Sequence, residues 1–168
     1  QTYSFGYNAN GMYGDGTNQS IALPTEMNTN LSLEELSSGW NFALGRDAAG
    51  QVYAWGNNSN GQLGNGTFTS SNVPVLMPSL SAVKSLASSE NSAMVVTNAG
   101  NVYVWGNNTY GQLGTGNTSI YNFPYLNPAL QNIDTIVGGR RHFLCLRTDG
   151  TVLAIGNNTF GQLGLGNL

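Results

Sequence analysis

The pattern of hydrophobic and polar residues divides the chain into short apolar runs separated by turn residues. Near the middle of the sequence these runs are residues 83–87, 93–97, 101–105 and 124–126, and most are rich in β-branched or aromatic side chains. Gly, Asn, Ser or Pro bounds the runs, and helical periodicity is absent over any useful length. The pattern therefore predicts an all-β chain built from short strands.

The two middle strands of each set are predicted to form a hairpin. Gly50, Gly100 and Gly150 each stand between these two runs, where a tight connection requires a positive φ. Because side chains alternate between the two faces of a strand, we expect two apolar columns on opposite faces of each sheet. One column is Ala43, Ala93 and Phe143, and the other is Leu44, Met94 and Leu144.

The whole pattern recurs every fifty residues without insertion or deletion, so that Phe5, Trp55, Trp105 and Ile155 fall in one column. We divide the chain into repeats 1–50, 51–100 and 101–150 and a partial repeat 151–168 that restates the opening segment. A period of this length with four strands is typical of a propeller blade. The fold class predicted for residues 1–168 is a single β-propeller segment of four-stranded antiparallel blades, with three full repeats and a partial one.

The second, third and partial repeats contain a glycine-rich loop of the form Gly-Asn-Asn-x-x-Gly-Gln-Leu-Gly, and the first repeat keeps its glycines at residues 6, 11 and 14. We interpret the glycines as sites of left-handed backbone and of close approach between blades. The first asparagine of the motif is predicted to cap a turn through its amide, and the leucine to fill the space between blades. A phosphate-binding role is disfavoured, because no lysine follows the glycines and no helix begins there. The members of the two columns are Asn57, Asn107 and Asn157, and Leu63, Leu113 and Leu163.

Residues 52–66 and their copy at 102–116 resemble the repeat of the regulator of chromosome condensation family. Residues 138–150 match the glycine step and histidine-containing strand of the same repeat, with His142 as the histidine. The resemblance implies a β-propeller, usually of seven blades, that is closed by strands from the two chain ends. We interpret His142 as a buried, backbone-bonded side chain. The exchange activity of the founding member on a small GTPase is not carried over, because no residue here matches the residues it requires.

Charge is sparse, with five Lys and Arg, eight Asp and Glu, and a net charge of -3. Charged residues make up 8% of the chain, against about 25% in an average domain. Five scattered cations cannot form the basic patch of a nucleic-acid-binding protein, and no stretch is apolar enough for membrane insertion. Low charge, abundant Asn and Thr, and an opening residue other than Met favour a secreted or cell-surface protein, with a cytoplasmic location as the alternative. Cys145 stands in an apolar run and is predicted to be buried.

The densest group of ionisable residues is Arg140, Arg141 and His142 with Asp134 and Asp149. Strand alternation sends Arg141 and His142 to opposite faces, which argues against a joint site. One histidine without a second ligand makes a poor metal site. We therefore predict no enzyme, no catalytic residue, no cofactor and no metal. Two or more ionisable side chains aimed into the central channel at hydrogen-bonding distance would favour an enzyme instead.

Positions that differ between otherwise similar repeats are candidates for recognition of a partner, because they are free of the demands of the fold. We predict a non-catalytic module that binds a protein of unknown identity. The alternatives are a display array in a large adhesin or secreted cargo protein and, third, a propeller hydrolase or lyase. Three blades and a fraction cannot close a ring, so the remaining blades are expected from a longer chain or from other copies. The candidate interaction residues are Tyr13, Trp40, Phe68, Glu90, Tyr110, Tyr121, Arg140 and Phe160.

Overall fold

A computed structural model describes residues 2–27 and 29–166 of the chain, and within these ranges the regular structure consists of strands alone. No helix that could cross a membrane occurs in the described ranges. The strands are β1 (Tyr3–Gly6), β2 (Ile21–Glu26), β3 (Leu33–Ser38), β4 (Phe42–Asp47), β5 (Val52–Gly56), β6 (Ser71–Leu76), β7 (Val83–Ser88), β8 (Ser92–Thr97), β9 (Val102–Gly106), β10 (Tyr121–Leu126), β11 (Ile133–Gly138), β12 (His142–Arg147) and β13 (Val152–Gly156).

Strands that follow one another along the chain pair with one another, so each sheet is an antiparallel meander. Blade I is the four-stranded sheet β3–β6, and blade II is the four-stranded sheet β7–β10. Blade III is described as three strands, β11–β13, and β1 and β2 form a separate pair before blade I. The predicted all-β fold of four-stranded antiparallel propeller blades is therefore confirmed.

The predicted hairpins are the connections from β4 to β5, from β8 to β9 and from β12 to β13. Gly50, Gly100 and Gly150 adopt φ values of 74°, 82° and 84° in these connections. The sequence boundaries at residues 50 and 100 thus fall inside hairpins, between the second and third strands of a blade. The division of the chain into repeats remains a prediction about the sequence, and the structural blades begin at β3, β7 and β11.

Successive blades pack face to face, and the two predicted apolar columns point to opposite neighbours. Leu44 of blade I lies in the cluster between blades I and II, whereas Met94 of blade II lies in the cluster between blades II and III. Ala93 and Phe143 face the preceding blade in each case. This arrangement follows from the alternation of side chains along a strand, which gives every blade one apolar face for each neighbour.

The glycine-rich loop closes each contact between blades in the predicted manner. Leu63 is fully buried between blades I and II, and the indole N–H of Trp105 donates a hydrogen bond of 2.8 Å to the Gln62 carbonyl. Gly64 has a φ of +63°, and an added Cβ would collide with the Met77 side chain and approach the Trp105 ring. Glycine is therefore required at this position both for the backbone conformation and for the space.

The two asparagines of the loop have different roles. Asn57 Oδ1 accepts hydrogen bonds from the backbone N–H of Ser59 at 3.0 Å and from the Gln62 amide at 2.9 Å, as a turn-capping residue does. Asn58 is the more deeply buried of the two, and its amide bonds to the backbone at Leu63 and at residues 67 and 69. One buried side chain thus holds both ends of the loop together, which the sequence motif did not reveal.

Candidate functional site

Three turns from three different blades lie side by side at one end of β3, β7 and β11. These are the first strands of the three blades, and we call them the inner strands because β7 contacts both β3 and β11. The turns are residues 39–41, 89–91 and 139–141. The backbone N–H of Trp40 donates to the Glu90 carbonyl at 3.0 Å, and the N–H of Glu90 donates to the Arg140 carbonyl at 2.8 Å. These bonds place three residues together that are fifty positions apart in the sequence.

Small residues allow the turns to approach this closely. An added Cβ at Gly138 would collide with the backbone of Ser88, and one at Gly39 would collide with the Phe42 ring and the Ser89 carbonyl. Neither glycine has a positive φ, so the requirement here is for space. The close packing fixes the backbone from which the side chains of the site project.

The loops that follow β5, β9 and β13 begin at the same end of the blades, because Phe42 pairs with Gly56 and Ser92 pairs with Gly106. We call the surface formed by the three turns and these loops the front face. The hairpins at residues 48–51 and 98–101 lie at the opposite end, which we call the back face. Residues on the front face are therefore brought together from all three blades.

Glu90 is the centre of the charged contacts on the front face. Arg141 Nε donates to Glu90 Oε2 at 2.6 Å, and Arg141 Nη2 donates to Oε1 at 3.4 Å. The hydrogen bond to Glu90 raises the pKa of the Arg141 guanidinium above its ordinary value. Arg141 Nη1 also donates to the Tyr110 hydroxyl at 2.8 Å, and its guanidinium lies 4.9 Å from the centre of that ring. Both oxygens of the carboxylate are thus engaged by one arginine.

Arg140 takes a different environment from that of Arg141. Its Nε lies 3.4 Å from Glu90 Oε2, and its guanidinium lies over the Trp40 ring at 5.6 Å from the ring centre. The Arg140 side chain is 69% exposed, while the Glu90 side chain is only 9% exposed. A cation and an indole thus stand next to each other at the surface, above a carboxylate that is largely covered.

A groove of about 470 Å³ runs across the three turns. Its walls are the last residue of each inner strand and the first two residues of each turn, so Trp40, Glu90 and Arg140 all line it. We call this feature the rim groove. Ser89 also lines it, and its hydroxyl oxygen is buried without a hydrogen-bond partner. The groove therefore contains an unsatisfied polar group beside an exposed cation and an exposed aromatic ring.

The structure brings together four of the predicted interaction residues, with Arg141 as the connection. Trp40, Glu90 and Arg140 meet in the rim groove, and Tyr110 joins them through Arg141. Sequence reasoning placed Arg141 in the densest ionisable group but assigned it no role. Glu90 was predicted as an interaction residue, but its side chain is only 9% exposed, because two arginines cover its carboxylate.

The other predicted interaction residues lie elsewhere. Phe160 is 88% exposed in the loop position equivalent to that of Tyr110, and Phe68 is 56% exposed in the loop after β5. Tyr121 is half-buried on β10, the outer strand of blade II, with its ring 4.7 Å from that of Tyr125.

Tyr13 does not belong to an exposed surface, since only 4% of it is accessible. Its backbone N–H bonds to Asn8 Oδ1 at 2.9 Å, just as the N–H of Leu63 bonds to Asn58 Oδ1. Tyr13 stands in the sequence column of Leu63, and it packs as that leucine does. The column itself contained the signal that this tyrosine is an interior residue.

The ionisable residues that are close in sequence are separated in space. Asp134 pairs with Lys84 at 3.1 Å, and Asp149 accepts hydrogen bonds from Thr151, which lower the pKa of its carboxyl group. The imidazole of His142 packs against Gly139, and its Nδ1 is buried without a hydrogen-bond partner. Among the described residues, this side chain does not make the backbone hydrogen bond that the sequence predicted. Within residues 2–27 and 29–166, no cluster of His, Cys, Asp and Glu could hold a metal ion.

Comparison with known proteins relates this chain to a family of repeats. A model of the regulator of chromosome condensation (RCC1) repeat matches residues 49–96 and 99–146. A second model of the same repeat matches residues 34–62, 83–112 and 133–162. No curated protein sequence matches the chain.

Solved structures with the same fold include human WBSCR16, with a TM-score of 0.86 and 28% identity over 99% of this chain and 45% of that chain. Prp20p from Saccharomyces cerevisiae, studied with its binding to Gsp1p and histones, has a TM-score of 0.74 and 25% identity over 94% of this chain and 37% of that chain. A structure of Kap60 bound to yeast RCC1 (Prp20) has a TM-score of 0.73 and 26% identity over 86% of this chain and 34% of that chain. The chain thus spans less than half the length of each of these three chains.

Proposed function

The chain belongs to the RCC1 repeat family, and from this premise we propose that it is a non-catalytic protein-interaction segment of a propeller. Its binding surface is the front face, with the rim groove at the centre. The partner is another protein, as it is for Prp20p with Gsp1p and histones. Further blades, from a longer chain or from other copies, complete the ring.

One observation carries this proposal: exposed anchor residues project from a backbone that contacts between blades hold rigid. Trp40 is 59% exposed and Tyr110 is 42% exposed, and Arg140 stands beside Trp40. Trp, Tyr and Arg are the residue types that contribute most often to binding hot spots. Because hydrogen bonds between the turns already order the backbone, binding costs little additional conformational entropy.

The arrangement of charges supports binding over catalysis. The Glu90–Arg141 pair does place ionisable groups at hydrogen-bonding distance on the front face. A general base, however, must reach the substrate, and the Glu90 side chain is only 9% exposed where Arg140 and Arg141 cover it. The guanidinium of Arg141 stays protonated and cannot exchange a proton with a substrate. The pair therefore acts as a fixed scaffold for its aromatic neighbours.

Site-specific photo-crosslinking in an extract of the source organism tests the proposal. A photoreactive phenylalanine analogue is placed at Trp40 on the front face, and in a matched variant at Ala99 on the back face, where the hairpin tip is also exposed. We expect a discrete protein adduct from position 40 that unlabelled protein competes away, and none from position 99. Equal adducts from both faces, or none from the front face, would contradict the proposal and favour a display array.

We further propose that the protein is secreted or lies at the cell surface. The low charge of the chain, with 8% charged residues, and its many Asn and Thr residues support this location. Fractionation of the source culture tests it: we expect the protein in the medium or accessible to a protease added to intact cells. Recovery in the cytoplasm alone would contradict this location and leave the binding proposal unaffected.

A further inference from the structure

We propose that the rim groove binds an acidic segment of the partner protein, with Arg140 receiving an Asp or Glu carboxylate beside Trp40. The inference rests on the proposed function, because it names the chemistry of the partner at the same surface. The carboxylate of the partner would accept hydrogen bonds from Arg140 N–H groups, which Glu90 approaches only at Nε.

Arg140 is available to a partner because Arg141 lies closer to the Glu90 carboxylate. Glu90 Oε2 lies 2.6 Å from Arg141 Nε and 3.4 Å from Arg140 Nε, so the closer arginine holds the carboxylate. In the described contacts the Arg140 side chain donates no hydrogen bond and meets only Glu90 and Trp40. The planar N–H groups of a guanidinium match a carboxylate with two parallel hydrogen bonds. Arg140 is thus a charged donor without a full set of acceptors.

The local charge is complementary to one or two carboxylates. Glu90 contributes one negative charge and Arg140 and Arg141 contribute two positive charges, which leaves a net charge of one positive unit at the groove. A nucleic acid needs several phosphate contacts for stable binding, and Arg140 is the one cationic residue among those that line this groove. An acidic side chain on a protein requires no more than that.

The shape of the groove fits an extended peptide. Glycines and serines form much of its lining, so the backbone of a bound segment can approach closely. The exposed ring of Trp40 adds an apolar contact at the side of the groove.

Fluorescence anisotropy with the full protein tests the inference. The probe is a short fluorescein-labelled peptide with two glutamates in a Gly/Ser background, and its twin carries glutamine in place of glutamate. The variants are Arg140→Gln, which removes the charge, and Arg140→Lys, which keeps it. Lys84→Gln is the matched control, because Lys84 lies at the back-face end of inner strand β7 and pairs with Asp134.

We expect the acidic peptide to bind about fivefold tighter than its glutamine twin at low salt, and the preference to weaken as salt increases. Arg140→Gln should abolish the preference, Arg140→Lys should retain part of it, and Lys84→Gln should leave it unchanged. Equal affinity for both peptides, no binding of the acidic peptide up to about 1 mM, or a preference that survives Arg140→Gln would overturn the inference.

Free succinate provides a further arm of the experiment. If succinate competes as strongly as the acidic peptide, the groove recognises a small carboxylate and the peptide assignment is wrong. The crosslink from position 40 separates the two proposals. A front-face adduct that persists unchanged in Arg140→Gln would retain the interaction function and reject the acidic segment. Absence of any protein adduct from position 40 in the chain that keeps Arg140 would reject both.

Discussion

Replacement of Trp105 by alanine should destabilise the protein far more than the same replacement at Trp40. Trp105 is 0% exposed between blades I and II, whereas Trp40 is 59% exposed on the front face. Deleting a buried Trp side chain costs about 3 to 5 kcal/mol. The Gln62 carbonyl, which accepts from the Trp105 indole at 2.8 Å, would also lose its partner at a cost of about 1 to 3 kcal/mol.

The combined loss of about 4 to 8 kcal/mol is comparable with the whole free energy of unfolding of a typical domain, about 5 to 15 kcal/mol. Trp40→Ala should change the free energy of unfolding by about 1 kcal/mol or less, because it removes one exposed contact with Arg140. Trp105→Phe is intermediate, since it keeps most of the ring volume and loses the hydrogen bond to Gln62.

Urea unfolding of the full protein, followed by far-ultraviolet circular dichroism, measures these differences without relying on tryptophan emission. The midpoint and slope of each variant give the change in the free energy of unfolding. Similar losses in Trp105→Ala and Trp40→Ala would refute the assignment of Trp105 to the interior. A loss in Trp105→Phe as large as that in Trp105→Ala would show that the hydrogen bond, and not the packing, dominates.

Three further predictions concern the loops and the interior. Gly64→Ala should cost at least about 2 kcal/mol by thermal unfolding, more than Gly100→Ala, because both residues have a positive φ but only the first would collide with neighbouring side chains. Asn58→Ala should cost about 2 to 4 kcal/mol, because it leaves the buried Leu63 N–H unpaired and removes the bonds to two loop carbonyls. The exposed Asn98→Ala should cost less than about 0.5 kcal/mol, and equal losses would show that the Asn58 amide does not hold the loop. Burial raises the pKa of the Cys145 thiol from 9.0 to about 11. Because the side chain is also inaccessible, alkylation at pH 8 should be at least about a hundredfold slower in the native protein than in urea. Stability from this group should be lost as the pH rises from 9.0 to about 11.

Much of the fold follows from local patterns. Alternating apolar residues place the strands, and a glycine in each β-hairpin fixes where the chain reverses, so the columns of Ala93 and Met94 could be assigned to opposite faces. The burial of Leu63 also followed, because an apolar residue inside a polar loop must pack against a neighbouring blade. Tyr13 was wrongly predicted to lie on the surface. That prediction rested on its being a tyrosine, although it stands in the same repeat position as the buried Leu63.

The sequence by itself determined the strands, the meander and the repeat, because these depend on propensities and spacings within one blade. The tertiary structure decided the site. Glu90 meets Arg140 and Arg141 only when blades II and III pack, and the choice between the two arginines depends on distances of 2.6 and 3.4 Å that no spacing encodes. Trp40 reaches Arg140 across the turn of an intervening blade. Contacts of this kind arise from the geometry of three packed sheets, so they emerge only once the blades are assembled.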